Sequence, residues 1–240
     1  MAVALVTATN AISSAANGIA SLLVDATARV SSNVNCLVAV AHTNTTATQA
    51  RWDVCAANST MTTAGEIGGG ANAGLILKVF YLMNPAGGEH ILRVNVSGSS
   101  QIKTLGTYSL SGVADAGSIG SFLALSGTTD DLSAQVASTA NEMVIDGNNW
   151  SGVGPVSALA VLSAGTDQTE KYDRRPNANI TTEHAGSIQT GETSTRMSWG
   201  ENFGTGCNWR HAAFNVVATG AAAPPAGGRV RRLAIVGAGS

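Results

Sequence analysis

Leu75-Ile-Leu-Lys-Val-Phe-Tyr-Leu-Met83 is followed by Asn84-Pro-Ala-Gly-Gly88 and then, after Glu89, by His90-Ile-Leu-Arg-Val-Asn-Val96. The first run is the strongest apolar segment of the chain and has strand length. Asn-Pro and Gly-Gly stop it with a strong turn signal. In the run after the turn, Leu92, Val94 and Val96 take one face and Arg93 and Asn95 the other, which is the two-residue period of a half-buried strand. The stretch reads as two strands joined by a turn, and the same grammar extends in both directions.

Upstream, Ile19 to Val30 alternates, and Cys36-Leu-Val-Ala-Val-Ala41 is a continuous apolar run of strand length. Downstream, strand patterns cover Ile102 to Ser111, Ser118 to Leu125, Glu142 to Asp146, Val156 to Leu162, Thr193 to Trp199 and His211 to Val217. Clusters of Gly, Asn, Ser and Thr separate them. No long window carries apolar residues at i, i+3, i+4 and i+7. The Ala-dense stretch Ile12 to Leu23 is the one helix candidate, and Asn17-Gly18 interrupts it. Short strands with turn signals at such regular spacing predict an all-β fold, an antiparallel β-sandwich or barrel.

Composition agrees. Only 12% of the 240 residues are charged and the formal net charge is −2, so there is no cation excess to neutralise nucleic-acid phosphates. Hydrophobic residues make up 44% but aromatics only 5%, with 28 glycines, which suits strands and tight turns better than helices with charged outer faces. No stretch approaches the ~20 apolar residues of a membrane helix. The N-terminus lacks the basic and long apolar regions of a secretion signal. No nucleic-acid or membrane partner is expected. Cys36, Cys55 and Cys207 form no CxxC pair, and an odd number cannot all pair within one chain; they read as buried or semi-buried free thiols of a protein made in a reducing cytosol, with one disulfide plus a free thiol as the alternative.

The chain divides into an N-terminal arm (1–18), a sandwich domain (19–218), a Pro/Gly linker (219–228) and a C-terminal arm (229–240). The linker carries Ala221-Ala-Ala-Pro-Pro-Ala-Gly-Gly228, and the arm carries Arg229-Val-Arg-Arg-Leu-Ala-Ile-Val236. A detached apolar strand needs a sheet edge, either its own or a neighbour's. The candidate interface residues are Arg229, Arg231, Arg232, Leu233, Ile235 and Val236: three apolar side chains to bury, and three arginines for acidic or carbonyl groups at the rim.

Motifs of catalysis are missing from the sequence. His42, His90, His184 and His211 are scattered, with no HExxH and no Cys/His metal spacing. There is no GxSxG and no Walker A motif. A His–Ser–Asp set can be drawn from many residues of so Ser-rich a chain and carries no weight. Asp130-Asp131 reads as a solvated acidic turn before it reads as a calcium loop. Glu170-Lys-Tyr-Asp-Arg-Arg175 reads as an exposed, ion-paired strand end. Asn-x-Ser/Thr sequons, Asn149-Trp-Ser151 among them, arise by chance in this composition. Trp150 lies in Asp146-Gly-Asn-Asn-Trp-Ser-Gly152, which reads as a loop; its ring reads first as a cap on the core or an interface, and it is also the candidate for stacking on a sugar ring. Trp199 and Trp209 read as core. The expectation is a protein without enzymatic activity and without a cofactor or metal.

Ser31-Ser-Asn-Val-Asn-Cys-Leu-Val-Ala-Val40, Phe80-Tyr-Leu-Met-Asn-Pro-Ala86, Ile91 to Ser99, Tyr108-Ser-Leu-Ser-Gly-Val113, Arg196-Met-Ser-Trp199 and Trp209 to Val217 follow one another in order. Over roughly residues 20 to 218 this resembles the jelly-roll-like β-sandwich modules of tailed-phage structural proteins and some bacterial surface proteins. The shared features are strands and turns without chemistry. The chain departs from the family where Ala114-Asp-Ala116 follows Val113 in place of Asp-Gln. The resemblance implies an antiparallel sandwich of jelly-roll type in a virion, most simply a capsid decoration (cement) protein or another head or tail surface component. Its partners would be copies of itself and other virion subunits, foremost the capsid protein. The alternative is a carbohydrate-binding or adhesive surface module, with glycans as partners.

Overall fold

The computed structural model describes residues 1–14, 23–30, 33–43, 47–53, 59–68, 75–96, 102–115, 118–128, 132–151, 163–174, 182–200 and 208–220, and every regular element among them is a β-strand. The first half of the chain supplies β1 (Ala4–Ser14), β2 (Leu23–Val30), β3 (Cys36–Thr43), β4 (Ala47–Asp53), β5 (Ser59–Thr60), β6 (Thr62–Ile67), β7 (Ile76–Met83), β8 (Gly88–Val96) and β9 (Ile102–Ser111). The second half supplies β10 (Ile119–Gly127), β11 (Leu132–Ala137), β12 (Met143–Ser151), β13 (Ser163–Ala164), β14 (Thr169–Arg174), β15 (Thr182–Thr190), β16 (Ser194–Gly200) and β17 (Asn208–Val216).

The pairing within each half is nested. β1 runs antiparallel to β9, β2 to β8, β3 to β7 and β4 to β5, so the half folds back on itself as one long hairpin. Rolling that hairpin brings β9 beside β3 and β8 beside β4. The result is a sheet of order β1-β9-β3-β7-β6 facing a sheet of order β2-β8-β4-β5. The second half repeats the wrap. β10 pairs with β17, β11 with β16 and β12 with β15, giving sheets β10-β17-β12-β15-β14 and β11-β16-β13. A hairpin wound into two facing antiparallel sheets is the jelly-roll arrangement. The stretch expected as one sandwich over 19–218 thus carries four sheets, two wraps of the same topology.

Three apolar layers order the sheets. Leu37, Ala39, Ala41, Phe80, Leu92, Val94 and Leu105 fill the first sandwich. Ala134, Val136, Val144, Met197 and Ala213, with the neighbouring group of Leu132, Trp150, Ala185, Trp199 and Trp209, fill the second. Between the sandwiches, Cys36, Val38, Val40, Leu77, Val79, Tyr108 and Leu110 of the first pack on Met143, Ile145, Tyr172, Ala212, Phe214 and Val216 of the second. The two five-stranded sheets are therefore inner layers and the other two outer layers.

This layering explains the two kinds of strand pattern. β3 is buried along its whole length because its alternate residues serve two different cores, so it reads as a continuous apolar run. An outer strand has only one face to bury. Leu92 and Val94 of β8 are buried while Arg93 between them is not, and β11 and β16 alternate in the same way. The turn at 84–88 is also as the sequence implies, with Asn84 at φ 49° and Gly88 at φ 119°.

The N-terminal segment expected as an arm contributes β1, which pairs with β9 from Ala4 to Ser14. Ile12 to Ser14, the start of the helix candidate, are strand; residues 15–22 lie outside the described part. Met1 donates its ammonium to the Thr219 carbonyl at 2.9 Å, and Thr219 N–H donates to Gly112 O at 2.8 Å. The linker residues Thr219 and Gly220 are described; 221–240, with the whole C-terminal arm, are not.

Candidate functional site at the joint between the sandwiches

The apolar layer between the sandwiches is interrupted at one end by polar side chains, all fully or almost fully buried. His42 is the seventh residue of β3, on the same face as Cys36, Val38 and Val40. Its register neighbours are Thr104 on β9 and Leu77 on β7. Asn149, Tyr172 and His184 come from β12, β14 and β15 across the joint.

Their hydrogen bonds run from one sandwich to the other. His42 Nδ1 bonds Asn149 Oδ1, and His42 Nε2 lies 2.7 Å from the Tyr172 hydroxyl. An amide oxygen can only accept, so Nδ1 carries the proton and Nε2 accepts from Tyr172. Asn149 Nδ2 donates to Ile76 O at 2.8 Å, which fixes the amide orientation that this assignment needs. His184 Nδ1 lies 2.8 Å from Thr104 Oγ1. The two imidazoles stack with centroids 5.0 Å apart and planes 17° from parallel, and Tyr172 meets His42 edge-on at 5.5 Å.

Burial sets the charge state of this cluster. It lowers the His42 pKa to about 4, with the Asn149 bond and the Asp146 charge opposing it. Burial, then the neighbouring His42, holds His184 well below the usual histidine range. Burial likewise raises both the Tyr172 and Tyr108 phenols. The joint is therefore built from neutral groups at neutral pH, each hydrogen bond contributing about 1 kcal/mol net.

Close fits lock the joint on either side. The Tyr172 ring lies over Gly186 on the adjacent strand and Gly106 on β9; a Cβ on Gly186 would come within 2.6 Å of that ring. Phe122 on β10 lies over Gly65 on β6, where a Cβ would come within 2.5 Å of it. At both flanks the large residue comes from the second wrap, on its fifth strand (β14) at one and on its first strand (β10) at the other.

A second polar network lies on the other face of β12, inside the second sandwich. Asp146 is fully buried and its carboxylate accepts four bonds. Ser187 N–H and Ser187 Oγ donate to Oδ1 at 2.8 and 2.7 Å, and Trp199 Nε1 and His211 Nε2 donate to Oδ2 at 2.7 and 2.9 Å. Histidine, serine and aspartate do meet here. However, Ser187 donates to the carboxylate rather than to the imidazole, so no base is placed to activate it. What the arrangement does is tie β12, β15 and β17 to Trp199 of the outer strand β16.

Trp150, read from sequence as a loop residue, lies on β12 between Glu183 of β15 and Trp209 of β17. It is 4% exposed and packs with Leu132, Ala185, Trp199 and Trp209, so its ring is not offered to a sugar in solvent. Trp199 and Trp209 are core residues, as expected. The charge cluster is β14, an edge strand whose single buried member is Tyr172. Its Glu170 has a raised pKa, from partial burial and then from Asp173. Cys36 is a buried free thiol whose pKa burial pushes up to about 12. Among the described residues no three His, Cys, Asp or Glu side chains group to hold a metal ion. Asp130, Asp131, Cys55, Cys207 and the candidate interface residues Arg229, Arg231, Arg232, Leu233, Ile235 and Val236 lie outside the described residues.

The residues of the two polar networks were not singled out by sequence reasoning as groups. The available signal was polar side chains inside apolar strands, His42 closing the β3 run and Asp146 in Val144-Ile-Asp146. Comparison with protein-family models, with curated proteins and with solved structures returns no match for this chain.

Proposed function

We propose that this chain is a structural protein of a phage virion, a capsid decoration (cement) protein or another head or tail surface component, made in the host cytoplasm and carried in the particle. The observation behind this reading is the double jelly-roll wrap with its two inner sheets packed face to face. Jelly rolls serve as viral capsid and lectin domains, and a fold alone does not choose between such uses. The disposition of the polar chemistry favours the structural one. Both networks described above are spent on holding sheets together, and neither opens to solvent. A glycan-binding use would want an aromatic ring at the surface, and Trp150, Trp199 and Trp209 are all buried.

The chain ends favour assembly. Met1 bonds Thr219, so both ends of the described chain meet at one corner. In this reading Leu233, Ile235 and Val236 dock on a neighbouring subunit, with Arg229, Arg231 and Arg232 at the rim. The partners are the capsid protein and copies of the chain itself, and no reaction is catalysed. The test is re-addition to particles produced without the gene. The full chain should co-sediment with them and a chain ending at Gly220 should not. Failure of both to bind, or binding of the full chain to immobilised glycans instead, would contradict the reading.

A further inference from the structure

We propose that the joint between the two sandwiches is an acid-released lock, in which the stacked His42 and His184 hold the inner sheets together while neutral and part them when either ring takes a proton. Four observations carry this. The cluster bridges two separately wrapped sandwiches, each with its own core. All four bonds, His42 to Asn149, His42 to Tyr172, His184 to Thr104 and Asn149 to Ile76 O, cross the joint. His42 bonds through both ring nitrogens, one as donor and one as acceptor, an arrangement only the neutral ring can make. The rings stack at 5.0 Å, so a charge on one faces the other across buried space.

A proton on His42 Nε2 would oppose the Tyr172 hydroxyl hydrogen. Tyr172 would have to turn that hydrogen away from His42, toward the neighbouring Tyr108 hydroxyl, so the bond it donates to the His42 ring would be lost. The surroundings offer little relief. From β9 the cluster meets Thr104 and Tyr108, from β12 Asn149, from β14 Tyr172, from β15 His184 and from β7 Leu77. The nearest cations in register are Arg210, opposite Asn149, and Arg174, opposite His184, and both oppose further positive charge. Asp146 sits on the other face of β12 with its four acceptor positions in use, and Glu183 alternates to that same face. Lys78 and Glu66 pair with each other at 2.8 Å, away from the joint. Opening the joint returns both imidazoles to water, where they titrate normally. Acid therefore favours the open form, and the weak point is the joint rather than either sandwich core.

The test uses the full chain between pH 7.5 and 4.0, with hydrogen exchange read by mass spectrometry and corrected for intrinsic rates. Peptides from β3, β9 and β15 should lose at least tenfold in protection between pH 6.5 and 4. Those from the outer strands β11 and β16, and the indole emission of the second sandwich, should hold. A double variant, His42→Gln with His184→Gln, should keep its joint protected over that range. Should it not fold, imidazole carbon shifts of the native chain give the same reading, with the two rings titrating in step with the loss of protection. Loss of protection in all strands at one pH, an unchanged joint down to pH 4, opening of the double variant at the native pH, or rings that titrate apart from the opening would each overturn the proposal.

Discussion

Replacing Asp146 by Asn tests the second polar network with almost no change of shape. The carboxylate accepts from Ser187 twice, from Trp199 and from His211, and nothing about it is exposed. The amide has one acceptor oxygen. Kept on the Ser187 side, that oxygen preserves two bonds and turns an NH2 group toward two donors. His211 can adapt by moving its proton to Nδ1, so that Nε2 accepts from the new amide. Nδ1 has no partner among the described residues, so the moved proton would remain unpaired. The Trp199 indole N–H has no such freedom and is left buried and unpaired. An orphaned buried donor costs about 1–3 kcal/mol, and the weakened His211 bond about 1 kcal/mol more. The expected loss is about 2–4 kcal/mol, a fall in Tm of roughly 5–15 °C for a chain of this size. Thermal melting followed by indole fluorescence suits the question, since Trp199 is itself the reporter. A fall under about 2 °C, or any rise, would refute the view that this carboxylate holds the second sandwich together.

Other outcomes follow from the same structure. The folded pKa of His42 is about 4, below its ordinary 6.5, so its neutral form adds stability that is complete above pH 6.5. That stability is lost as pH falls toward 4, about 3 kcal/mol in all, and should appear as a falling Tm over that window. In a chain carrying Cys55→Ser and Cys207→Ser, Cys36 should resist a thiol reagent until the protein unfolds, since its thiolate is suppressed by burial. Gly106→Val drives a side chain into the Tyr172 ring and should cost about 1–3 kcal/mol, read by urea titration. Removing residues 221–240 should leave Tm within about 2 °C; a much earlier melt would mean that the tail belongs to the chain's own core.

The sequence was most legible where a strand alternates or ends at a strong stop. β9 is Ile102–Ser111, the stretch read from alternation alone, and the Asn84–Gly88 turn lies where its residues imply. It was least legible where polar side chains are buried. β15, Thr-Glu-His-Ala-Gly-Ser-Ile-Gln-Thr, shows no apolar alternation, yet Glu183, His184 and Ser187 are all inside. Only partners from other strands make that burial affordable. β12 was seen as far as Asp146, because Asp-Gly is a turn signal. A position between β15 and β17 overrides that local preference and carries Trp150 into the core. The doubling of the wrap was hidden because topology repeats while residues do not: the central strands Cys-Leu-Val-Ala-Val-Ala-His-Thr and Met-Val-Ile-Asp-Gly-Asn-Asn-Trp-Ser share no pattern beyond apolar starts.

The proposed role itself is tested most directly by quantitative mass spectrometry of virus particles purified from a lysate in which this chain is produced. A virion structural protein should be present in a fixed ratio to the capsid protein, the same from one preparation to the next and unchanged by a further gradient. Its absence from the particles, or a trace amount that falls with each purification step, would contradict the account.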